Sequence, residues 1–299
     1  MTTPSAERSA RLRALLADGT VAMPGAINAL SAKLIERAGF EAMYLSGAVL
    51  ANSVGGVPDT GLMTLSESEA HSRHAADACS LPILADADTG YGGPENAART
   101  VRVLERAGVS AIHLEDQEFP KRCGHLEGKT LIAPEEMAAH IRAACDARLD
   151  DDFVVIARTD AIAVEGFERA MERAKIYEEA GADVLFVEAP RTMEQLEAIP
   201  KGLGVPALYN MASSGKTPFL TADEMQELGF RLVIYPNFML MAAIPAMTRV
   251  LQELKRSGSV KGMLNDVVSF QEFFDLMGMD QVKELEARYQ VSEDARAGY

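Results

Sequence analysis

The sequence predicts an α/β fold in which eight parallel strands alternate with helices, that is, a (β/α)8 TIM-type barrel. The first observation is a recurring pattern, in which a helix-like segment ends in an Ala-Gly or Leu-Gly pair and a short apolar run follows. Glycine there suits the left-handed residue that ends many helices, and an aliphatic run is typical of a strand buried on both faces. The pattern occurs at 37–47, 106–117, 179–190 and 227–236.

Further apolar runs complete the set of strands. They lie at 21–26, 81–88, 153–160 and 206–211. Helical patterns occur between them at 29–38, 65–78, 94–107, 134–147, 166–180, 192–199 and 222–228. Strands and helices that alternate in this way form parallel sheets, and eight such units suit a closed barrel. A doubly wound open sheet is the structural alternative.

The whole chain, 1–299, is predicted to form a single barrel domain. No stretch rich in Pro, Gly and Ser divides it, and barrels of about 250 residues are common as one domain. The N-terminal segment before residue 20 is interpreted as an amphipathic helix. A helical C-terminal extension is expected over 238–299.

Composition and charge exclude several classes of partner. With 29 basic and 44 acidic residues the net charge is −15, which argues against nucleic acid and anionic membranes. The longest apolar stretch, 238–247, is interrupted by Pro245 and is too short for a membrane span. The cysteines Cys79, Cys123 and Cys145 are too few for a disulfide scaffold. No secretory signal is recognised, so we expect a cytoplasmic protein.

Polar residues end most of the predicted strands. In a (β/α)8 barrel the carboxyl ends of the strands meet at one face, where active sites are built. In chain order these residues are Ser46, Gly47, Asp86, Asp88, Glu115, Asp116, Arg158, Asp160, Glu188 and Asn210. Carboxylates this close repel one another unless a cation lies among them, and oxygen ligands select Mg²⁺ or Mn²⁺. The cluster predicts a Mg²⁺ site, with buried structural ion pairs as the alternative; His113, in mid-strand, is expected to be a core residue.

The segment after the fourth strand, PKRCGHLEGK at 120–129, places a cysteine among cations. Lys121, Arg122 and His125 flank Cys123, and positive neighbours stabilise a thiolate. We therefore expect a lowered thiol pKa and a role for Cys123 in proton transfer. The alternative is an unreactive cysteine beside a solvated basic turn.

These residues lie in motifs that resemble a known family, the isocitrate lyase/phosphoenolpyruvate mutase superfamily. The matching segments are MPGAINALSAKLIERAGF, YLSG, VPDTGL, DADTGYG, LEDQ, KRCGH, ARTDA and GKTP. The resemblance covers nearly the whole chain, and KRCGH soon after LEDQ is highly specific. It implies a Mg²⁺-dependent (β/α)8 barrel whose subunits exchange their last helix, usually within a homotetramer.

The resemblance also implies which residues hold the metal. Asp86 is the expected direct ligand. Asp59, Asp88 and Glu115 are expected to hold the ion through water molecules, and Glu115 is also counted among the catalytic residues. The cofactor implied is Mg²⁺, with Mn²⁺ as a substitute.

Substrate contacts and proton transfer are implied in the same way. The substrate is expected to be a small carboxylate that touches Ser46, Gly47, Cys123, Gly124, His125, Arg158, Glu188 and Asn210. Arg158 would grip the carboxylate of its 2-oxo-acid portion, opposite the backbone N–H groups of Ser46 and Gly47. Cys123 would be the general acid or base, carried on a mobile gating loop.

Three enzymatic functions are compatible with this resemblance. The first is a carbon–carbon lyase that splits a substituted malate or methylisocitrate by retro-aldol chemistry. The second is a phosphonate enzyme of the carboxyphosphonoenolpyruvate mutase type, and the third is an oxaloacetate hydrolase or decarboxylase. A non-enzymatic binding role is the alternative from another class, and an intact carboxylate cluster beside Cys123 argues against it.

Some positions depart from the family pattern. They are Ala48, Ser213-Ser214 and Asn237-Phe238. Methylisocitrate lyases also place two arginines against the extra carboxylate groups, at positions that correspond here to Met241 and Phe270. Without them a tricarboxylate would lose about 3–6 kcal/mol, or a factor of roughly 10² to 10⁴. We therefore expect a malate-type dicarboxylate, such as 2,3-dimethylmalate, rather than methylisocitrate.

Overall fold

The computed structural model describes residues 4–126 and 128–290 and forms a nearly closed parallel barrel. Its strands are β1 Val21–Pro24, β2 Met43–Leu45, β3 Ile83–Asp86, β4 Ala111–Glu115, β5 Val154–Thr159, β6 Val184–Val187, β7 Ala207–Asn210 and β8 Leu232–Tyr235. Each strand from β2 to β7 pairs in parallel with the strand that follows it in the chain, and β8 also pairs in parallel with β1. Between β1 and β2 a single bridge joins Gly25 and Tyr44. The predicted fold class is confirmed, and the open-sheet alternative is wrong.

The helices follow the predicted positions closely. They are α1 Pro4–Asp18, α2 Ala29–Arg37, α3 Gly47–Leu50, α4 Leu65–Ala78, α5 Pro94–Arg106, α6 Pro134–Asp146, α7 Ile162–Glu165, α8 Phe167–Glu179, α9 Met193–Gly202, α10 Ala222–Leu228, α11 Phe238–Ser257, α12 Phe270–Met277 and α13 Met279–Tyr289. A π-helical turn at Ala51–Gly55 directly follows α3. Helices α3 and α7 were not predicted, because four-residue helices are too short to give a periodic apolar pattern.

Side chains fill the barrel interior, so the barrel is a packed core and not a pore. Interior residues Met23, Leu84, Ile156 and Phe186 are at most 1% exposed. Helix α1 contributes Leu12 to this inner cluster. The apolar side chains therefore stop below the carboxyl ends of the strands, where the buried polar residues begin.

Arginines of α1 attach that helix to the barrel. Arg8 donates to the carbonyl oxygens of Ala76 and Cys79, both at 2.7 Å. Arg13 pairs with Asp183 at 2.8 Å, and the other Asp183 oxygen accepts from the Val155 backbone N–H at 2.8 Å. These acceptors lie at the ends of helices or just before strands, which is where the amino ends of the strands are. Helix α1 therefore covers the end of the barrel opposite the carboxyl ends of the strands.

The chain divides into two compact units, Met1–Ala242 and Ala243–Tyr299. The first holds the barrel and the second holds most of α11 with α12 and α13. Within 243–290 no residue is buried, and Leu251 and Phe270 are 65% and 79% exposed. None of the described helices combines the length and apolarity that a membrane span requires.

A buried hydrogen-bond network lies just outside the barrel at the end of β4. Asp116 Oδ2 accepts from Thr159 Oγ1 at 2.7 Å and from the Tyr177 hydroxyl at 2.8 Å. Its Oδ1 accepts from the Asp160 backbone N–H at 2.9 Å, and Arg173 lies 3.4 Å from Oδ2. Successive strand residues point to opposite faces, so Glu115 faces the barrel interior while Asp116 joins β4 and β5 to α8. Asp116, although it lies at a strand end, therefore has a structural role.

We expect Asp116→Ala to destabilise the fold by about 3–5 kcal/mol, the usual cost of removing one member of a buried charged network. The substitution leaves two buried hydroxyl groups and one backbone N–H without their acceptor. Urea unfolding followed by circular dichroism measures the change. The exposed Asp146, at the end of α6, is the matched control, and Asp146→Ala should change the unfolding free energy by less than about 0.5 kcal/mol. Equal effects of the two substitutions would contradict the assignment.

Candidate active site

The carboxyl ends of six neighbouring strands, β2 to β7, bring the predicted site residues together. Strand pairing places Asp86 opposite His113 and Glu115 opposite Arg158. The site residues that are at most 7% exposed are Ser46, Asp86, Asp88, Glu115, Arg158 and Glu188. A buried cluster with this many charges is costly unless its members are paired, so their contacts define what the site can do.

Asp86 is held by backbone N–H groups on both of its oxygens. Gly47 N donates to Oδ2 at 3.0 Å, and Asp88 N donates to Oδ1 at 3.0 Å. A Cβ atom on Gly47 would lie 2.9 Å from Asp86 Oδ2, so only glycine lets the β2–α3 loop approach this closely. Burial acts to raise the pKa of Asp86, but nearby basic side chains, including Lys121 and Arg158, outweigh it and hold the pKa well below its usual range. Asp86 is therefore a fixed anion.

Lys121 and Arg158 are buried among the other carboxylates. Lys121 forms ion pairs with Asp59 and with Asp88, the second at 2.7 Å. Arg158 pairs with Glu115 at 3.0 Å on one side and with Asp160 at 3.0 Å on the other. Structural ion pairs, the alternative considered for this cluster, are thus present within it.

The donor set nevertheless fits a divalent cation. Among the described residues, Glu115 Oε1 is buried without a hydrogen-bond partner, and the carboxylates outnumber the three buried cations that pair with them, Lys121, Lys129 and Arg158. Burial raises the pKa of Asp88 to about 6 and the pKa of Glu115 well above its usual range, because the charged form of each carboxyl is costly away from water, and a bound cation would favour that charged form. Over the described residues, no three acidic, His or Cys side chains form a metal cage of their own. A Mg²⁺ ion with one or two carboxylate ligands and several waters suits such a set.

The segment after β4 lies over this cluster through Gly124 and His125. Gly124 packs so closely that a Cβ atom there would lie 2.4 Å from Arg158 Nη2 and 2.6 Å from Glu188 Oε1. His125 Nε2 lies 3.1 Å from Glu188 Oε1, and Asn210 Nδ2 donates to that same oxygen at 3.1 Å. The predicted substrate residues Gly124, His125, Arg158, Glu188 and Asn210 are therefore brought together.

The expected lowering of the Cys123 thiol pKa is wrong. Burial raises the pKa of the thiol, and Asp59 and Glu188 act in the same direction, against the opposing effects of a backbone hydrogen bond and Arg158. The cations that suggested a thiolate in the sequence point elsewhere, because Lys121 pairs with carboxylates and His125 faces Glu188. Cys123 is thus a protonated thiol, suited to donate a proton.

Gly124→Ala is expected to lower kcat/KM by roughly 10²-fold, since displacing the loop by about 1 Å from its catalytic position costs that much. The added methyl group cannot be accommodated between Arg158 and Glu188. Steady-state kinetics measure the effect. Gly93→Ala is the control, because its Cβ would lie no closer than 3.5 Å to a neighbour and should leave kcat/KM near that of the unmodified protein. Equal activity of both variants would show that the loop does not close during turnover.

Sequence reasoning missed a pair of aromatic residues beneath the carboxylates. The Tyr44 hydroxyl lies 2.8 Å from His113 Nε2 and 3.5 Å from Asp86 Oδ2. Burial lowers the pKa of His113 to about 4, so the imidazole is neutral. The expectation of a core position for His113 is confirmed, since it is 0% exposed. His113 lies on β4 and Tyr44 lies on β2, with β3 between them. Their contact could not be found from sequence spacing.

Comparison with known proteins identifies the family. The model of the phosphoenolpyruvate phosphomutase family matches residues 12–255. A 2,3-dimethylmalate lyase from Eubacterium barkeri is 41% identical over 282 residues, covering 94% of this chain and 98% of that protein. A 2-methylisocitrate lyase from Aeropyrum pernix is 45% identical over 267 residues, covering 89% and 86%.

A solved structure agrees with these relatives. The crystal structure of a 2,3-dimethylmalate lyase, described as a PEP mutase/isocitrate lyase superfamily member, matches with a TM-score of 0.90 and 38% sequence identity. It covers 98% of this chain, and this chain covers 97% of it. The predicted enzyme class is confirmed, and the chain belongs to the phosphoenolpyruvate mutase/isocitrate lyase superfamily.

Proposed function

We propose that the protein is a Mg²⁺-dependent carbon–carbon lyase that splits a 2-hydroxy dicarboxylate of the substituted-malate type into pyruvate and a second carboxylate. The observation that carries the proposal is the protonated Cys123 thiol on a loop folded over Arg158 and the buried carboxylates. The relatives named 2,3-dimethylmalate lyase and 2-methylisocitrate lyase, which match nearly the full chain, support it.

Each part of the site has a role in that reaction. The Arg158 guanidinium, held in place by Glu115 and Asp160, is positioned to bind the carboxylate of the 2-hydroxy-acid portion. Mg²⁺, held by Asp86 directly and by Asp59, Asp88 and Glu115 through waters, would polarise the substrate hydroxyl group and the carbonyl group that forms from it.

Proton transfer completes the retro-aldol cleavage. The substrate hydroxyl group loses its proton to a base, for which Glu115 is the candidate, because a bound cation would keep it ionised and, among the described residues, its buried Oε1 has no hydrogen-bond partner. The bond between carbons 2 and 3 breaks, and its electron pair remains on carbon 3 of the departing carboxylate. The Cys123 thiol then donates its proton to that carbon. The closed loop excludes water, which prevents protonation from the wrong side.

Met241, at a position where the resemblance implies an arginine in methylisocitrate lyases, favours a dicarboxylate. Met241 is 51% exposed, and its sulfur lies 3.0 Å from Ser213 Oγ. A thioether cannot form an ion pair with a third carboxylate, and a hydrogen bond to a charged group contributes about 1.5–3 kcal/mol. Phe270 lies in the other unit of the chain, so its part in the argument stays a prediction from the sequence.

A panel of acids tests the proposed function. With Mg²⁺ present, pyruvate release is measured for 2,3-dimethylmalate, 2-methylisocitrate, oxaloacetate and phosphonopyruvate, and release of oxalate and acetate is also measured for oxaloacetate. We expect the highest kcat/KM for 2,3-dimethylmalate, with methylisocitrate roughly 10²-fold or more below it. Higher kcat/KM for methylisocitrate would contradict the dicarboxylate assignment alone. Turnover of only oxaloacetate or the phosphonate would contradict the lyase assignment as a whole.

We also propose that the protein is a homotetramer. An open apolar groove in the barrel unit is lined by residues of β1, α2, β8 and the start of α11, including Leu34, Phe40, Tyr235 and Phe238. Leu34 and Phe40 are each 40% exposed there, and the C-terminal unit buries none of its described residues. Exposed apolar surface of this extent marks an association site, and a second copy of the chain carries the complementary apolar helices.

Light scattering coupled to size exclusion should give a mass four times the 32.2 kDa of the chain. Leu34→Asp places a charge in the groove and is expected to shift the mass toward smaller species. Leu149→Asp, at an exposed apolar residue outside the groove, is the control and should leave the mass unchanged. A monomeric mass of the unmodified protein at micromolar concentration would overturn the proposal.

A cytoplasmic location belongs to the same proposal. Cys79, Cys123 and Cys145 are all free thiols in the structure, as a reducing compartment would keep them. The net charge of −15 argues against nucleic acid or an anionic membrane as a partner, and it does not exclude a small carboxylate substrate that a local cation such as Arg158 would bind.

A further inference from the structure

Lys129 is a buried cation at the C-terminal end of the loop that carries Cys123. Its side chain is 1% exposed, and its ammonium group donates to the backbone carbonyl oxygen of Gly124 and to Asp160 Oδ1, the second at 3.2 Å. A buried ammonium group is costly unless it is fully paired. Lys129 therefore has a strong preference for the arrangement in which both acceptors are present.

The two acceptors of Lys129 belong to different parts of the molecule. Gly124 is adjacent to Cys123 on the loop, whereas Asp160 directly follows β5 and is 1% exposed. Asp160 is fixed independently of the loop, because Arg158 donates to both of its oxygens, at 3.0 and 3.1 Å, and its backbone N–H donates to Asp116. Asp160 is thus a rigid anchor, and Lys129 connects it to the loop.

The other cation that binds this part of the loop is in a different environment. Lys216 donates to the His125 carbonyl oxygen at 2.8 Å, but it is exposed. Water can replace that contact at little cost, as is usual for surface charges. Water cannot replace the contacts of Lys129 unless the loop opens and the ammonium group becomes hydrated.

We propose that Lys129 is a positioning residue that holds the Cys123 loop closed over the active site, using Asp160 as its anchor. It acts through the Gly124 carbonyl group, because its hydrogen bonds to described residues go to that group and to Asp160. Because Asp160 Oδ1 accepts from both Lys129 and Arg158, closure of the loop and orientation of the substrate-binding guanidinium depend on the same carboxylate. The effect of Lys129 on catalysis rests on the proposed function, whereas its effect on loop closure does not.

Alkylation of Cys123 by iodoacetamide measures loop closure without any substrate. Peptide mass spectrometry follows the rate at each of the three cysteines, so Cys79 and Cys145 serve as internal references. We expect Lys129→Met to raise the rate at Cys123 by about tenfold or more, since a hydrogen bond to a charged group corresponds to roughly 10- to 150-fold in an equilibrium. The rates at Cys79 and Cys145 should change by less than about twofold, as local opening requires.

Two further variants keep the test decisive. Lys216→Met removes the neighbouring exposed cation and should change the Cys123 rate by less than about twofold, as a surface contact predicts. Lys129→Arg retains the charge and should return the rate toward that of the unmodified protein. An unchanged Cys123 rate in Lys129→Met overturns the proposal, and so does an equal rise at all three cysteines. If Cys123 responds as expected but no hydroxy acid is cleaved, the proposed function fails while the positioning role stands.

Discussion

Cys123→Ser is expected to lower kcat for cleavage by about 10²- to 10⁴-fold, the contribution of a positioned general acid. Serine has nearly the volume of cysteine, but its hydroxyl group is a far weaker acid and cannot protonate the departing carbanion at a comparable rate. The fold should be unaffected, so circular dichroism and Mg²⁺ binding should match the unmodified protein. Single-turnover kinetics with the best substrate of the panel separate the chemical step from product release.

The pH dependence of cleavage provides a second measurement on Cys123. Its thiol pKa is raised by burial, so the protonated acid is present at neutral pH and is lost only as the pH rises through that raised value. We therefore expect kcat to stay level across neutral pH and to fall on the alkaline side.

A Cys123→Ser variant with unchanged kcat would show that the thiol takes no part in the reaction. It would favour the phosphonate chemistry, which needs no such proton.

Asp86→Asn is expected to lower activity by roughly 10³-fold or more, because a Lewis-acid metal contributes several kcal/mol and each 1.4 kcal/mol is tenfold in rate. Asparagine keeps the size of the side chain but removes the charge that the two backbone N–H groups and the metal require. Isothermal titration with Mg²⁺ should show weakened binding in parallel with the loss of turnover.

Matched controls make the Asp86 experiment specific. Asp146→Asn changes an exposed carboxylate at the end of α6 and should leave Mg²⁺ affinity and kcat unchanged. Chelation of the unmodified protein should abolish turnover, and added Mg²⁺ or Mn²⁺ should restore it. Full turnover after exhaustive chelation would contradict the metal assignment.

The fold was predictable because its signals are local. Most helices are followed within two residues by a glycine, and most strands are apolar runs closed by a polar residue, so the barrel can be inferred without knowledge of contacts. Gly181, for example, has a φ of 103° directly after α8, as the Ala-Gly pattern predicts. Two strand-end carboxylates, Asp86 and Glu115, could be placed at the site because parallel strands end at the same face.

The contacts of side chains could not be predicted, because they depend on the tertiary arrangement. The thiol environment of Cys123 is the clearest case, since the lysine two residues before it turns away toward Asp59 and Asp88. Residues adjacent in the chain also point to different places. The Glu115 side chain pairs with Arg158 in the site, whereas the Asp116 side chain accepts hydrogen bonds in a structural network. The importance of Lys129 likewise depends on its burial against Asp160, which no motif reveals.

Cleavage of 2,3-dimethylmalate in deuterium oxide with Mg²⁺ tests whether Cys123 protonates the departing carbon. We expect equal amounts of pyruvate and propionate, with one deuterium in a single configuration on carbon 2 of the propionate, delivered by the exchanged Cys123 thiol. Cys123→Ser should yield almost none of this product. Absence of pyruvate from 2,3-dimethylmalate and from methylisocitrate, or deuterium in both configurations, would contradict the account.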